Sequence, residues 1–220
     1  MLTPIANSAL VLCNGEPPSR RLVRRIAGQC DLFLAADGGA NTARRYRMQP
    51  DIIIGDLDSI TPATLKAFSS RMLLHVARQD NTDLEKALDF LAARNVGQVF
   101  IAGATGGRID FTLGNLAVIW NYTAFMRLTI LGDGWYARPV QGSVKFSAPR
   151  GTVASVLPFA PCSGITLSGL RYRLRNASMD VGEIGVSNVV TASSSSVSVR
   201  RGKLLLIVLA PYGDGVRSAP

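Results

Sequence analysis

The chain contains little histidine and cysteine, and it has no long hydrophobic run. Among its 220 residues are one histidine and three cysteines. A single histidine excludes catalysis by several imidazoles and excludes histidine-rich zinc sites. The cysteines are odd in number and widely spaced, which excludes a disulfide framework and a CxxC metal motif, so we expect buried thiols in a cytoplasmic protein. The longest apolar run, 204–210, is too short to span a membrane as a helix, which takes about 20 residues, and we expect no membrane partner.

Glutamate and lysine are also scarce, and charge is divided unevenly along the chain. Arginine outnumbers lysine by 20 to 4, and aspartate outnumbers glutamate by 12 to 3. Residues 1–135 have a net charge of +2, whereas residues 136–220 have a net charge of +7. A basic chain is compatible with nucleic-acid binding, while aspartate is typical of caps, turns and metal sites. The positions of the aspartates therefore bear directly on function.

The hydrophobic pattern predicts two domains of different class. Short apolar runs at 9–13, 32–36, 52–54, 72–76, 99–102 and 128–131 alternate with helical segments, which predicts a mostly parallel sheet. The best-defined helix begins near Asp80, and Thr82 with Glu85 fits a capping box. β-prone stretches at 143–146, 152–157, 164–167, 183–190, 196–201 and 204–209 follow, separated by turn residues. We predict an α/β catalytic domain over 1–134 and an antiparallel β-sandwich domain over 135–220.

Six aspartates follow the carboxyl ends of the predicted parallel strands. They are Asp37, Asp56, Asp58, Asp80, Asp83 and Asp110. Ligands of open α/β sheets bind at this edge, so the six carboxylates are candidates for one site. An extended chain would point Asp56 and Asp58 the same way, and a helix start would place Asp80 and Asp83 on one side. Clustered carboxylates repel unless a cation neutralises them, and oxygen ligands favour Mg²⁺, Mn²⁺ or Ca²⁺.

Glycines accompany these aspartates. Gly38, Gly39 and the 103–107 segment allow backbone N–H groups to approach phosphate oxygens, and Arg108 adds a fixed positive charge. The 103–107 segment has neither the Walker A pattern nor the dinucleotide GxGxxG pattern. Together with the aspartates, it indicates a site for a metal and a nucleotide.

The ordered set of segments resembles the thiamin pyrophosphokinase (thiamin diphosphokinase) family. The matching segments are 36–41 (ADGGAN), 55–59 (GDLDS), 79–83 (QDNTD) with Lys86, 106–110 (GGRID) with Leu113 and Asn115, 169–172 (GLRY) and 185–188 (GVSN). The resemblance implies an N-terminal α/β domain, a C-terminal β-sandwich and a homodimer whose active sites are shared between subunits. It also implies Mg²⁺-dependent transfer of pyrophosphate from ATP to the thiamin hydroxyl, which gives thiamin diphosphate and AMP.

The resemblance further implies roles for individual residues. Asp56, Asp58, Asp80 and Asp83 would hold Mg²⁺ and the transferring phosphates, while Asp37 and Asp110 would order the site, and either is a candidate acceptor of the hydroxyl proton. The ATP contacts would come from Asn14, Gly15, Gly38, Gly39, Asn41, Gln79, Thr82, Thr105, Gly106, Gly107 and Arg108. Ser187 and Asn188 would line the thiamin pocket from the partner subunit.

The sequence departs from the family pattern at two places. Phe111 stands where a histidine often follows the aspartate of the GGRxD segment. Val189 and Val190 stand where bacterial members commonly have an acidic residue followed by an aromatic one. The first change removes an imidazole that could orient substrate, and the second removes an aromatic ring that could stack on thiamin.

Two other functions compete with the kinase interpretation. The segment 54–59 resembles the DxDx[ST] start of haloacid dehalogenase-like phosphatases, whose first aspartate is a nucleophile. That motif normally begins the first strand, whereas two βα units precede it here, and it leaves 79–83 and 106–110 unexplained. Arg171, Arg173 and Arg175 alternate in the basic half and would place three guanidinium groups on one strand face, as in some nucleic-acid-binding proteins. No RRM or cold-shock aromatic pattern accompanies them, so ATP and thiamin remain the expected partners rather than nucleic acid.

Overall fold

The protein is described by a computed structural model that covers residues 6–68, 72–77, 80–183 and 185–213. It contains two compact units, Met1–Gly132 and Asp133–Pro220. The first unit is an α/β fold with parallel strands and the second is built from antiparallel strands, which confirms the predicted fold class. Within the described ranges, no helix has both the length and the apolar character that crossing a membrane requires.

The first unit alternates strands and helices along the chain. Its strands are β1 (Ser8–Leu12), β2 (Leu32–Ala36), β3 (Ile52–Gly55), β4 (Met72–His75), β5 (Gln98–Ala102) and β6 (Arg127–Gly132). Its helices are α1 (Arg20–Ala27), α2 (Gly39–Arg45), α3 (Pro62–Ala67), α4 (Asp83–Ala92) and α5 (Ile109–Val118), and a 3-10 turn (Ile119–Asn121) follows α5. Leu10, Leu34, Ile53 and Ile101 are fully buried, as expected of strands that are covered on both faces.

The strand order of the first unit creates a crevice beside β1. The order is β6-β5-β1-β2-β3-β4, and every adjacent pair is parallel. The chain therefore winds outward from β1 to β4 and then continues on the other side of β1 with β5. Such a reversal opens a ligand crevice at the carboxyl ends of the two strands. The main-chain N–H of Gly15 donates to the carbonyl oxygen of Gly103 at 2.8 Å, so the segments that follow β1 and β5 stay in contact beyond the sheet.

Helix α4 has the predicted capping box but starts later than expected. The Thr82 hydroxyl accepts from the main-chain N–H of Glu85 at 3.2 Å, and the Glu85 carboxylate accepts from that of Thr82 at 2.8 Å. Thr82 has extended dihedral angles, so the first helical residue is Asp83. Asp80 lies ahead of the cap and is exposed. The expectation that Asp80 and Asp83 share one side of a helix start is therefore wrong.

The described residues of the second unit form six antiparallel strands. They are β7 (Trp135–Phe146), β8 (Val153–Pro158), β9 (Cys162–Ser168), β10 (Leu174–Met179), β11 (Asn188–Val189) and β12 (Ser195–Val208). β12 pairs with β7 along most of its length, and its other edge is shared between β9 and β8. This division allows Val197, Leu204, Leu206 and Val208 to contribute to one buried core. Because β10 begins at Leu174, Arg171 and Arg173 precede it, and the expected arginine stripe on one strand face is wrong.

Candidate active site

A cavity of about 610 Å³ lies in the first unit at the carboxyl ends of β1, β2 and β5. Its size falls within the usual range of small-molecule pockets, roughly 300–1,000 Å³. It is lined by Cys13, Asn14, Gly15, Glu16, Ala36, Asp37, Ser59, Thr82, Asp83, Leu84, Ala104, Gly106, Gly107, Arg108, Phe111 and Asn115. Residues at or after the ends of five strands, β1 to β5, thus meet at one opening. Of the six predicted aspartates, Asp37 and Asp83 are among the lining residues.

Asp37 is the most deeply buried carboxylate of this cavity. The residue is only 2% exposed and follows β2 in a left-handed conformation, with φ at 42°. Its main-chain N–H donates to the carbonyl oxygen of Ile54 at 2.8 Å, which fixes the turn. Among the described residues its Oδ1 has no hydrogen-bond partner. Burial raises the pKa of the Asp37 carboxyl, against the opposing effect of hydrogen bonds from Ser59 and Gly38.

Asp56 and Asp58 meet Asp37 at the end of β3. Each of the three offers a carboxylate oxygen, and these oxygens lie within 4.8 Å of one another. The intervening Leu57 has φ at 67°, so the segment turns rather than continuing as the extended chain expected from the sequence. The carboxylates nevertheless converge, and the main-chain N–H of Asp58 donates to Asp56 Oδ1 at 3.4 Å. We name Asp37, Asp56 and Asp58 the carboxylate group.

Asp83 lies beside the carboxylate group and is bound by a lysine that the sequence analysis did not assign to the site. Lys86 Nζ lies 2.9 Å from Asp83 Oδ1 and 3.4 Å from Asp56 Oδ2. A Cβ atom on Gly55 would lie 3.1 Å from Asp83 Oδ1 and 2.8 Å from the Cβ of Asp37, so glycine is needed at this crowded position. Lys86 belongs to the family-matching segment that begins at Gln79, but the sequence analysis gave it no role.

Arg108 and Asp110 form an exposed pair at the start of α5. Arg108 Nε donates to Asp110 Oδ1 at 3.1 Å, and Nη2 donates to Oδ2 at 2.5 Å. The guanidinium carbon lies 4.4 Å from the centre of the Phe111 ring. The Arg108 hydrogen bonds lower the pKa of the Asp110 carboxyl. The aromatic residue that replaces the expected histidine thus supports the arginine at the rim of the cavity.

Most of the predicted glycines are enclosed by the protein's own loops. A Cβ on Gly38 would overlap the Asn14 side chain, and one on Gly39 would overlap the carbonyl oxygen of Leu12. Likewise, Gly15 has no room for a Cβ beside the carbonyl of Gly103. Close packing between these loops explains the glycines without a ligand. Their contact with phosphate remains a prediction.

The 103–108 loop is held by two polar residues that the sequence analysis did not assign to the site. The buried Asn115 donates through Nδ2 to the carbonyl oxygen of Ala104 at 2.8 Å. The Thr112 hydroxyl accepts from the main-chain N–H of Gly106 at 3.1 Å. Gly106 has φ at 79° and Gly107 has φ at 67°, and a Cβ on Gly107 would meet nothing within 4 Å. The backbone at Gly107 is therefore open toward the surroundings.

The remaining predicted nucleotide contacts have different surroundings. Asn14 and Thr82 line the cavity. Asn41 instead donates to the carbonyl oxygen of Ser59 at 2.8 Å and accepts from the main-chain N–H of Thr61 at 3.0 Å, so its amide holds the loop that contains Asp58. The half-buried Thr105 contributes a carbonyl oxygen that accepts from the main-chain N–H of Glu16 at 2.8 Å. Gln79 lies outside the described residues.

The second unit has a cavity of its own, of about 560 Å³. Tyr172, Glu183 and Asn188 are among its lining residues. The buried Asn188 accepts through Oδ1 from the N–H groups of Tyr172 and Val189 and donates to the carbonyl oxygen of Tyr172 at 2.7 Å. Its amide is thus occupied by main-chain bonds. Ser187 is exposed in a left-handed conformation, with φ at 61°.

Comparison with known proteins matches both halves of the chain to one family. Residues 23–130 match the family model described as "Thiamin pyrophosphokinase, catalytic domain". Residues 143–204 match the model described as "Thiamin pyrophosphokinase, vitamin B1 binding domain". The chain is 30% identical over 213 residues to thiamine pyrophosphokinase 1 of Oryza sativa subsp. japonica, a match that covers 83% of this chain and 80% of the relative.

Solved structures and a bacterial relative give the same result. The chain is 27% identical to thiamine pyrophosphokinase of Bacillus subtilis, covering 86% of this chain and 93% of the relative. The crystal structure of yeast thiamin pyrophosphokinase has a TM-score of 0.81 at 17% identity, covering 93% of this chain and 86% of the yeast chain. The crystal structure of the Bacillus subtilis protein has a TM-score of 0.79 at 24% identity, covering 92% and 99%. These structures show that the fold is shared.

Proposed function

Because the chain belongs to the thiamin pyrophosphokinase family, we propose that the cavity of its first unit binds ATP with Mg²⁺ and transfers pyrophosphate to thiamin. The activity is that of a thiamin diphosphokinase, in which the thiamin hydroxyl attacks the β-phosphorus of ATP and AMP leaves. The observation that carries the proposed location is the buried Oδ1 of Asp37, which has no partner among the described residues and lies beside two further carboxylates. Such an oxygen favours a nearby cation or a proton, and the reaction brings both.

The donor atoms of the carboxylate group fit a magnesium ion. All three are carboxylate oxygens, and Mg²⁺ usually binds through one or two carboxylates together with water and substrate phosphates. We assign Asp56 and Asp58 as the ligands, since they are less buried than Asp37 and each offers an oxygen within 4.8 Å of that cavity-lining carboxylate. When bound, the ion would neutralise charge on the phosphate oxygens. Ligand roles for Asp80 and Asp83 remain predictions.

The same cavity provides groups for the nucleotide and for the proton. Arg108, steadied by Asp110 and Phe111, provides a fixed charge at the rim that suits phosphate. Asp37 is a better proton acceptor than Asp110, because burial raises the pKa of Asp37 whereas Arg108 lowers that of Asp110. The walls position ATP and the attacking hydroxyl, which is the main contribution that a protein makes to phosphoryl transfer.

We assign thiamin recognition to the second unit, which matches the vitamin B1 binding model. The exposed Ser187 is available to a ligand, whereas the amide of Asn188 bonds to main-chain groups and supports the turn that presents Ser187. Val189, where bacterial relatives commonly have an acidic residue, provides no charge for the thiamin cation. The neighbouring Tyr172 is 65% exposed and is an aromatic candidate for that contact.

A homodimer is favoured by α5, which exposes apolar side chains and buries a polar one. Asn115 is buried in this helix, whereas Ile109, Leu113 and Ala117, four residues apart, are exposed. An apolar helix face open to solvent is typical of an interaction surface. We propose that it contacts a second copy of this chain, as the family resemblance implies, and that the second unit of the partner completes each active site.

The free thiols Cys13, Cys30 and Cys162 suit the predicted cytoplasmic location.

Turnover provides the direct test of this function. Purified protein with ATP, Mg²⁺ and thiamin should release AMP and thiamin diphosphate in equal amounts, and Asp58→Asn should reduce kcat by at least about a hundredfold because one metal ligand is lost. Chromatographic quantification of both products checks the result. Release of inorganic phosphate without thiamin would instead favour the phosphatase interpretation, which the comparisons do not support. Folded protein that forms neither product would contradict the proposal.

A further inference from the structure

Lys86 is a buried lysine with two carboxylate partners. Its side chain is 2% exposed, and its ammonium group contacts Asp83 at 2.9 Å and Asp56 at 3.4 Å. Lysine is almost never fully buried unless it is paired, since removing an ammonium ion from water costs several kcal/mol. Two short contacts to anions offset that cost here. The position therefore requires a positive charge, and an apolar side chain of the same length would not replace it.

The two partners of Lys86 belong to different parts of the first unit. Asp83 is the first residue of α4, and Asp56 follows β3. The ammonium group thus connects the start of a helix to a loop that carries two members of the carboxylate group. Asp83 is also close to Gly55, where a Cβ atom would lie 3.1 Å from its Oδ1. Rotation of either Asp83 or Asp56 away from Lys86 would remove one of the two anions that compensate its buried charge.

We propose that Lys86 is a positioning residue whose ammonium group acts as a built-in cation of the metal site. It holds Asp56 and Asp83 in place before Mg²⁺ and ATP arrive, and it limits how strongly the surrounding carboxylates attract a divalent ion. This inference rests on the proposed metal-dependent function. A lysine suits the task better than an arginine, because its compact ammonium group donates in three directions from one atom.

Substitution of Lys86 should change metal affinity in a direction that loss of a purely structural lysine would not. Lys86→Met removes one positive charge a few ångströms from the carboxylate group. The carboxylates should then attract a divalent ion more strongly. At the effective dielectric constants of protein sites, the gain in binding free energy is on the order of 1 to 2 kcal/mol, which corresponds to about a tenfold lower Kd. The loss of positioning should at the same time slow turnover, because Asp56 is no longer fixed. Tighter metal binding together with lower kcat is the distinctive outcome.

The experiment measures binding of Mn²⁺ alone to the full chain by isothermal titration and by electron paramagnetic resonance, without ATP or thiamin. Lys86→Met should bind Mn²⁺ about tenfold more tightly than wild type and should gain more in Tm from saturating Mn²⁺. Its kcat should fall at least about tenfold, and Lys86→Arg should recover part of it. Lys145→Met, which removes the same charge from an exposed position on β7, is the matched control and should behave as wild type.

Three outcomes would overturn the proposal. Mn²⁺ affinity of Lys86→Met that is equal to or weaker than wild type would contradict the built-in cation, and so would an equal Mn²⁺-induced rise in Tm. If Lys86→Met does not fold, the double variant Lys86→Met with Asp83→Asn removes one of the two negative charges that Lys86 compensated and should fold. Failure of that rescue would also contradict the proposal. Because the Mn²⁺ measurements need no turnover, they remain informative even if the proposed reaction is not detected.

Discussion

Asp37 combines a left-handed backbone, deep burial and an Oδ1 atom with no partner among the described residues. Burial and the unpartnered oxygen both disfavour a charged side chain at that position in the free protein, and the left-handed backbone adds strain. A neutral residue of similar shape would be more stable. Aspartate there suits a function that provides a positive charge or a proton during the reaction.

The Asp37 carboxyl should make the free energy of unfolding depend on pH. Burial raises the pKa of Asp37 in the folded state, so the folded protein holds the proton over a range where the unfolded chain has lost it. The contribution of Asp37 is therefore most favourable below its unfolded pKa and declines as pH rises through the folded pKa. In metal-free protein at neutral pH, the free energy of unfolding of Asp37→Asn should exceed that of wild type by on the order of 1 kcal/mol.

Urea unfolding from acid to neutral pH measures this difference, which should grow as pH increases. Turnover of Asp37→Asn should fall strongly, because an amide cannot accept the hydroxyl proton. Asp133→Asn, an exposed aspartate between β6 and β7, is a suitable control and should show neither change. A stability difference for Asp37→Asn that stays constant across pH would contradict the argument.

The candidate site could be predicted as a set of residues but not as a set of contacts. Strand ends share one edge of a parallel sheet, so Asp37, Asp56 and Asp58 could be placed together from the sequence. The bonds of Asn41 to Ser59 and of Lys86 to Asp56 join residues far apart in the chain. Those pairings depend on how loops pack, and no local pattern encodes them.

Among the elements, α4 contributes two charged residues, Asp83 and Lys86, to the site. Its capping box fixes the first turn, and that turn contains both Asp83 and Lys86. The start of α4 is thereby rigid at the point where its side chains meet the loop after β3. A change in the cap should therefore affect catalysis as well as stability, although Glu85 is not among the lining residues of the cavity.

Substitution of Glu85 tests this coupling. Glu85→Ala removes the carboxylate that accepts from the Thr82 N–H, which should lower the free energy of unfolding by about 1 kcal/mol and reduce kcat severalfold. Glu85→Gln keeps an acceptor oxygen and serves as the matched variant, so it should stay close to wild type. Chemical denaturation and initial rates measure the two effects. Equal behaviour of both variants would show that the cap does not position the site.

Strands that are continuous runs of apolar residues were predicted well, and strands of mixed sequence were predicted poorly. All six apolar runs of the first unit correspond to β1–β6. In the second unit the described residues of 183–190 contain one strand, the short β11. The strand β10, with its mixed sequence LRNASM, was not predicted. The turn expected between the stretches 196–201 and 204–209 instead lies inside β12, where Gly202 has φ at 108° and the register with β7 shifts. A bulge and a turn use the same residues, so the sequence alone does not separate them.

At the scale of the whole molecule, the distribution of charge along the chain is a better guide to function than the net charge. The basic excess belongs to residues 136–220, whereas the carboxylate group lies in the nearly neutral first part. A positive field over one part of the chain is suited to ATP, while thiamin, a cation, requires local contacts. The overall charge that first suggested nucleic acid is therefore compatible with a small anionic substrate.

Assembly can be tested through the exposed face of α5. Leu113 is 61% exposed. In the proposed homodimer, Leu113→Asp would bury a charge in an apolar contact, so it should raise the dissociation constant by at least about tenfold. Sedimentation velocity over a range of concentrations measures this change, and activity per subunit should fall in parallel if the sites are shared. Phe125→Asp, at a similarly exposed apolar position outside α5, is the control. A Leu113→Asp protein of unchanged size and full activity would contradict the shared site.

The contact between the segments after β1 and β5 also determines when the site can appear during folding. Gly15 and Gly103 are joined by a main-chain hydrogen bond although most of the first unit separates them in sequence. Closing so long a loop is slow compared with forming the local βα units, because its entropy is lost before the contact is made. The cavity of the first unit should therefore be among the last features acquired on refolding, and the proposed nucleotide affinity should return only after most of the helical signal. A chain emerging from the ribosome would have no working site until β5 has been synthesised and has added beside β1.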